Sequence, residues 1–280
     1  MRAGPPDACS TGLVPARRAG FTLIELLVVM GVISILMVLV VPAFTGLKNA
    51  GDLTDAAYRI KSGVERARVH AKANNTYVWI GFFEENAALP STTPATPGNG
   101  RLVISIVASR DGTNVYGLGT GPIDPTRLVQ VDKLTRIENV HLPLFAVGTG
   151  AGESFDTRPA LQWDPGAGYN YGRFGELNGA VPNTAPSTTP YSFQYPVGDP
   201  APAAQYVFRK LLQFSPRGES RVNGDSYDLR RVVEIGLVPT RGTTVPTPRS
   251  GAGTSTQVYA GNVAAVQIGG IGGNVTIFRR

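Results

Sequence analysis

The stretch AGFTLIELLVVMGVISILMVLVVP, Ala19–Pro42, decides how this 280-residue chain is read. From Phe21 to Val41 every residue is apolar or glycine except Thr22, Glu25 and Ser34. At about 1.5 Å of rise per residue, such a run makes roughly 30 Å of helix, the thickness of a bilayer core. The sequence therefore predicts a transmembrane segment over 21–41. A single acid, Glu25, interrupts the run near its start. A carboxylate in a membrane helix costs about 2.5–3.5 kcal/mol on insertion scales, so an acid placed there marks function. Arg17 and Arg18 stand just outside the run and hold that end on the cytoplasmic side. The preceding residues, Met1–Gly20, include Arg2, Asp7 and three prolines, and are too polar for the hydrophobic core of a secretory signal.

Gly20-Phe21-Thr22-Leu23-Ile24-Glu25 resembles the class III signal peptide of type IV pilins and type II secretion pseudopilins. The resemblance implies a leader over 1–20 that a membrane prepilin peptidase cuts after Gly20. It implies N-methylation of the new terminus, Phe21, and retention of the apolar helix in the mature protein. It also implies that Glu25 pairs with the N-terminal amine of a neighbouring subunit as a filament grows. The partners so implied are the peptidase, other pilin or pseudopilin subunits, and an inner-membrane assembly platform. The expected location is the inner membrane, single-pass, with the N-terminus cytoplasmic and the globular part periplasmic, followed by assembly into a filament.

Beyond Pro42, which should kink or interrupt the helix, Leu53, Ala57, Ile60, Val64, Ala67 and Ala71 recur at three- and four-residue spacing with charged residues between them. This is the pattern of an amphipathic helix with one buried face. Asn74-Asn75 supplies a stop. The expectation is an N-terminal helix over 21–75 with a β-rich domain over 76–280. The segment 76–83, TYVWIGFF, reads as a strand, and 101–108 alternates Leu102, Ile104 and Ile106 with Val103, Ser105 and Val107 as a second. A turn at Arg110–Thr113 leads to a third strand expected near Val115. Residues 127–140 read as a strand followed by a turn or short helix. Residues 206–214 and 229–238 read as a strand pair, with a turn at Ser215–Gly218. Val258–Ile268 and Asn274–Phe278 form a last pair across Gly269–Gly273. Helix first and strands afterwards makes the expected class α+β, with the long helix packed on an antiparallel sheet.

The chain has 34 glycines and 22 prolines, well above a usual combined share of about 12%. Much of the excess falls in 148–204, which has no clear period and is expected to be an irregular insertion. Its aromatics, among them Phe155, Trp163, Tyr169, Tyr171, Phe174, Tyr191, Phe193 and Tyr195, are expected to pack onto the sheet, a contact surface being the competing reading. The passage Arg66–Val78 resembles the helix-to-strand junction of H-type minor pseudopilins and related minor pilins. Gln213–Gly218 resembles their Phe-x-Pro-x-Gly strand end, whereas the insertion departs from their compact pattern.

The residues supply little catalytic chemistry. The one cysteine, Cys9, lies in the expected leader, and the two histidines, His70 and His141, are far apart in sequence. That composition argues against a zinc site and against a thiol nucleophile. Gly269–Gly273 lacks the Gly-Lys-Ser/Thr ending of a phosphate loop, and Asp111–Asn114 lacks the downstream glutamate of a calcium loop. No enzyme, cofactor or metal is expected. The net charge of +6 places arginines at 209, 217, 221, 230, 231, 279 and 280. If they shared a face they would contact DNA phosphate, with Arg279 and Arg280 the candidates; scattered solubilising charge is the simpler reading. The expected function is a minor pseudopilin of a type II secretion pseudopilus, supporting secretion across the outer membrane. The alternative is a type IV pilus minor pilin serving assembly, adhesion or DNA uptake. Glu25 argues against the tip pseudopilin class that lacks this acid.

Overall fold

The second half of the N-terminal helix carries a row of small apolar side chains, and those residues bring it close to a sheet. In the computed structural model, which describes residues 1, 21–115, 122–145, 150, 152–161, 163–164, 169–170, 192–222, 232–247, 259 and 261–280, helix α1 is Leu23–Ala73. The chain divides into two compact units, Met1–Gly46 and Leu47–Arg280. In the second unit Leu53, Ala56, Ala57, Ile60, Val64, Ala67 and Ala71 are all buried. The alanines let the helix backbone approach the sheet, and the branched residues fill the gaps between strands. α1 continues past Pro42 and ends where the sequence indicated: Asn75 takes a left-handed φ of 50° and Thr76 N–H donates to Ala71 O at 3.1 Å. That bond is the six-to-one closure of a Schellman turn.

The strands are β1 Val78–Asn86, β2 Gly100–Ser109, β3 Leu128–Gln130, β4 Thr135–His141, β5 Trp163–Asp164, β6 Tyr169–Asn170, β7 Phe193–Tyr195, β8 Tyr206–Phe208, β9 Lys210–Phe214, β10 Ser220–Val222, β11 Val232–Pro239, β12 Ala264–Gly269 and β13 Val275–Arg279. Among the described residues nine of them form one antiparallel sheet in the order β10-β9-β1-β2-β4-β11-β12-β13, with β3 added to β2. β7 pairs with β8 and β5 with β6. The fold is α+β with an antiparallel sheet.

β1 is central and buried on both sides, which explains its unbroken apolar sequence. Val78, Ile80 and Phe82 face the helix layer, while Trp79 and Phe83 face the opposite layer. Residues from β7 and β8 cover that second face. Phe193 and Phe208 stack with centroids 5.0 Å apart and rest on Gly81, where an added Cβ would come within 2.6 Å of Phe208 and 2.7 Å of Phe193. A third apolar group, built on Phe145, Phe155, Val238, Tyr259, Ala265 and Phe278, covers β11–β13 on the side away from the helix. The two ends of the sheet also meet. Ser220 N–H on β10 donates to Gly270 O in the β12–β13 turn at 2.8 Å, and Ser220 Oγ donates to Gly269 O at 3.1 Å. Gly273 has φ +59°, and a Cβ there would lie 2.8 Å from both Gly218 O and Arg68 Cδ of α1. Helix end and two turns thus interlock around a residue with no side chain.

Several expectations change. Among the described residues no helix is long and apolar enough to cross a membrane, so the transmembrane segment expected over 21–41 is not seen as such. The apolar side chains described there end at Met37, and α1 beyond Gly51 carries charge in nearly every turn. Val115 itself lies in a turn, and the residues that follow it, 116–121, lie outside the described residues; β3 pairs with the end of β2. Residues 127–140 give two strands, β3 and β4, with no helix after the first. The run 206–214 breaks at Arg209: β8 pairs with β7, while β9 enters the main sheet beside β1. β11 is not the partner of β9; the Ser215–Gly218 turn brings β10 back onto that edge, and β11 pairs with β4 and β12. The insertion over 148–204 is only partly irregular, since it contributes β5, β6 and β7. Within it Phe155 and Phe193 are buried and Tyr195 is partly buried against the second apolar layer. Tyr171, Phe174 and Tyr191, and the side chains of Trp163 and Tyr169, lie outside the described residues.

Overpacking a filled interface costs about 1–3 kcal/mol. Gly81→Val should therefore lower the thermal midpoint clearly, and an unchanged midpoint would show that Phe193 and Phe208 do not bear on Gly81.

Candidate functional site

Thr22 and Glu25 form the start of α1 by bonding each other. Thr22 N–H donates to Glu25 Oε2 at 3.1 Å, Thr22 Oγ1 donates to the same oxygen at 3.0 Å, and Glu25 N–H donates to Thr22 Oγ1 at 3.3 Å. This is a capping box: a threonine cap and an acid three residues on satisfy two helix-end donors reciprocally. The motif Thr-x-x-Glu lies openly in the sequence, yet only the geometry shows that Oε2 of Glu25 is engaged while Oε1 has no partner among these bonds. The acid also sits in the first turn of the helix, where the backbone dipole favours negative charge.

Around this acid the helix is apolar on every side. Phe21 is 84% exposed and the large apolar residues from Leu23 to Met37 are all exposed. A helix without a polar face is stable only when other apolar matter surrounds it. The structure thus places Phe21 and Glu25 on one short, solvent-facing segment. Gly20 lies outside the described residues.

Among the described residues, Arg279 and Arg280 do not turn to one face, and several other basic side chains are taken up by acids. Lys210 is buried, with Nζ 3.3 Å from Glu84 Oε2. Arg280 Nε donates to Asp156 Oδ2 at 3.2 Å, and its guanidinium also meets Asp156 Oδ1 and lies 5.0 Å from the Phe155 ring centroid. Arg279 is exposed and, by strand alternation, projects from the other face of β13. Arg209 and Arg217 are exposed, and Arg230 and Arg231 lie outside the described residues. Among the described residues no group of three or more His, Cys, Asp or Glu side chains is placed to hold a metal.

The structure reveals two buried ionic clusters that sequence reasoning missed. Glu84 Oε1 lies 2.6 Å from His141 Nδ1 and accepts from Leu142 N–H at 3.1 Å, while Oε2 faces Lys210. Burial pushes the Glu84 carboxyl up, but Lys210, His141 and the Leu142 N–H outweigh it and hold the group below the ordinary carboxylate range. The signal was the acid pair Glu84-Glu85 at the end of an apolar strand; charges are almost never fully buried unless paired. The second cluster ties the segment 152–161 to the sheet. Arg158 donates to both oxygens of Glu234, at 2.6 and 3.0 Å, and to Phe155 O at 2.7 Å. Gln267 Nε2 donates to Glu234 at 2.9 Å, and the Arg158 guanidinium stacks 4.5 Å from the Phe155 ring centroid. Breaking such a pair on one side costs about 3–5 kcal/mol. Arg158→Met should destabilise the domain by that order in denaturant unfolding, and Arg158→Met with Glu234→Leu by less. Equal losses in the two variants would show that the unpaired carboxylate is not the cause.

Residues 15–41 match the model of the prokaryotic N-terminal methylation motif. No curated protein and no solved structure matches the chain. The match spans the cleavage junction, Phe21, the Thr22–Glu25 capping box and the apolar run, and it stops short of the β-rich domain. The chain carries the prokaryotic N-terminal methylation motif over residues 15–41.

Proposed function

We propose that the chain is a minor pseudopilin, a structural rather than enzymatic subunit of a type II secretion pseudopilus that supports protein export across the outer membrane. The match of residues 15–41 to the methylation motif carries the reading. The motif implies processing by a prepilin peptidase and assembly with other pilin subunits. Cleavage after Gly20 frees the α-amino group of Phe21, which is then methylated. Before assembly the run 21–41 lodges in the inner membrane with the β-rich domain on the periplasmic side. On assembly it moves from lipid into the filament core, under the drive of an inner-membrane platform. There the apolar side chains exposed along Leu23–Met37 pack between subunits.

The capping box gives Glu25 a defined posture for that transfer. Its Oε2 is held by Thr22, and Oε1 is left to accept the charged amine of a neighbour. A lone carboxylate or a lone ammonium in an apolar filament core would cost several kcal/mol; together they neutralise and fix the axial register. The helix-to-strand junction supports the H-type subfamily: α1 ends at Ala73 and β1 begins at Val78, within the passage that resembles it.

Glu25→Ala should leave cleavage intact, seen as a mature chain of the expected mass, and lower the amount recovered in sheared filaments. Equal incorporation of variant and wild type would remove Glu25 from assembly. The system is decided by a deletion strain in which the secreted proteome and surface filaments are scored together. Loss of secreted enzymes with pili intact is the expected result. Lost pili or motility with normal secretion would instead make the protein a type IV pilus minor pilin.

A further inference from the structure

The last turns of α1 meet two glycine turns, and three cations gather where they meet. An ideal Cβ on Gly218 would lie 2.8 Å from Lys72 Cδ and 3.4 Å from Arg68 Nε. One on Gly273 would lie 2.8 Å from Arg68 Cδ. Arg68 and Lys72, one helical turn apart, therefore run against the backbone of these turns, and Arg217 is the residue before Gly218. Lys72 and Arg217 are exposed, and Arg68 is half-buried. Among the described residues none of the three has an acid within ion-pair reach. Glu219, in the same turn as Arg217, accepts from Ser215 Oγ at 3.2 Å, while Asp111 and Asp132 are held by Arg127 and Arg66. Arg68 Nε is shut off from water and has no hydrogen-bond partner, so the domain itself leaves this guanidinium unsatisfied.

The helix dipole favours cations at a C-terminus, which accounts for Arg68 and Lys72 being there. It does not account for Arg217, nor for the aliphatic side chain that stands beside them. Ile271 is 58% exposed in the β12–β13 turn, two residues before Gly273. The turn calls for glycine at 273, where φ is +59°, and nothing in its backbone calls for isoleucine. That backbone is pinned. Gly273 N–H donates to Gly269 O at 2.7 Å, Gly269 N–H donates to Asn274 O at 3.0 Å, and Gly270 O accepts from Ser220 N–H at 2.8 Å. A side chain on a fixed backbone loses little freedom when a partner covers it. Singly exposed aliphatics are ordinary. One that is rimmed by unpaired cations has the layout of an interface, an apolar anchor inside a charged rim.

The geometry points to a docking surface for an acidic segment of another protein, which sets an apolar side chain against Ile271 and carboxylates against Arg68, Lys72 and Arg217. Charge selects the class of partner. The chain carries a net charge of +6, so a second copy is repelled at long range, whereas an acidic partner is attracted. Nucleic acid would find the same cations, but its bases need a flat side chain to stack on, and Ile271 offers none. The surface belongs to the unit Leu47–Arg280 and stands apart from the secretion reading of the N-terminal motif.

The test measures fluorescence anisotropy of a labelled peptide, Glu-Glu-Leu-Glu-Glu-Leu, added to the full-length purified protein. The same peptide with glutamine in place of glutamate serves as the neutral control. The acidic peptide should bind, the neutral one should not, and binding should fade between about 50 and 300 mM salt. Lys72→Glu combined with Arg217→Glu should weaken binding about tenfold, with an unchanged thermal midpoint to show that the fold is intact. Ile271→Ser should weaken it about threefold and leave the salt dependence as it was. No binding by the wild type, equal binding of the two peptides, or an unchanged affinity in either variant would overturn the proposal. Displacement of the peptide by millimolar inorganic phosphate would reduce the surface to a simple anion site. Tighter binding of a thymidine single strand at the same residues would make it a nucleic-acid surface, and either of these two results overturns the proposal as well.

Discussion

The close contact between the alanine-rich face of α1 and the sheet is the constraint on which the domain depends. Ala56, Ala57, Ala67 and Ala71 keep the backbone of the helix near the strands, and Leu53, Ile60 and Val64 reach between them. Fully burying one side chain of that larger kind contributes about 1.5–3 kcal/mol. Because the helix covers one face continuously, β1 must find a second layer for Trp79 and Phe83. The insertion provides part of that layer through β7 and Phe193, and β8, which follows it, adds Tyr206 and Phe208. A segment that looks like a departure from a compact pattern is thus part of the core.

Elements with a strong period were legible in the sequence. The spacing of Leu53 through Ala71 gave the buried face of the helix, Asn74-Asn75 gave its end, and the alternation of Leu102, Ile104 and Ile106 gave the helix side of β2. The glycine run 269–273 marks a hairpin connection, and β12 and β13 pair across it. Pairing over distance was not legible. Nothing in the run YVFRKLLQF states that Tyr206 and Phe208 belong to one sheet and Lys210 to another, because the alternation of buried residues runs straight across Arg209. The strand partners of β11 were hidden for the same reason: strand pairing is settled by the turn at Ser215–Gly218, which closes off the nearer edge.

The N-terminal site shows the opposite balance. Phe21 and Glu25 stand out in a short stretch of sequence, since an acid inside an apolar run is costly wherever it lies. What geometry adds is the division of the carboxylate, one oxygen used by the helix and one left over. The buried clusters were the least legible feature. Arg158 and Glu234 are 76 positions apart and Glu84 and Lys210 are 126 apart, so only the folded sheet brings them together. The acid in the middle of Val232–Pro239 was a visible hint that a cation had to come from elsewhere in the chain.

The meeting of the sheet's two ends has a mechanical consequence. With Ser220 bonded to the β12–β13 turn, and Gly273 pressed between Gly218 and Arg68, the strands form a collar around the last turns of α1. A load applied along the helix therefore does not peel one edge strand after another. It reaches the collar through many side-chain contacts together and in shear, the direction in which interlocked layers resist most. Within the unit Leu47–Arg280, such a collar fastens the last turns of α1 to the sheet at several points at once.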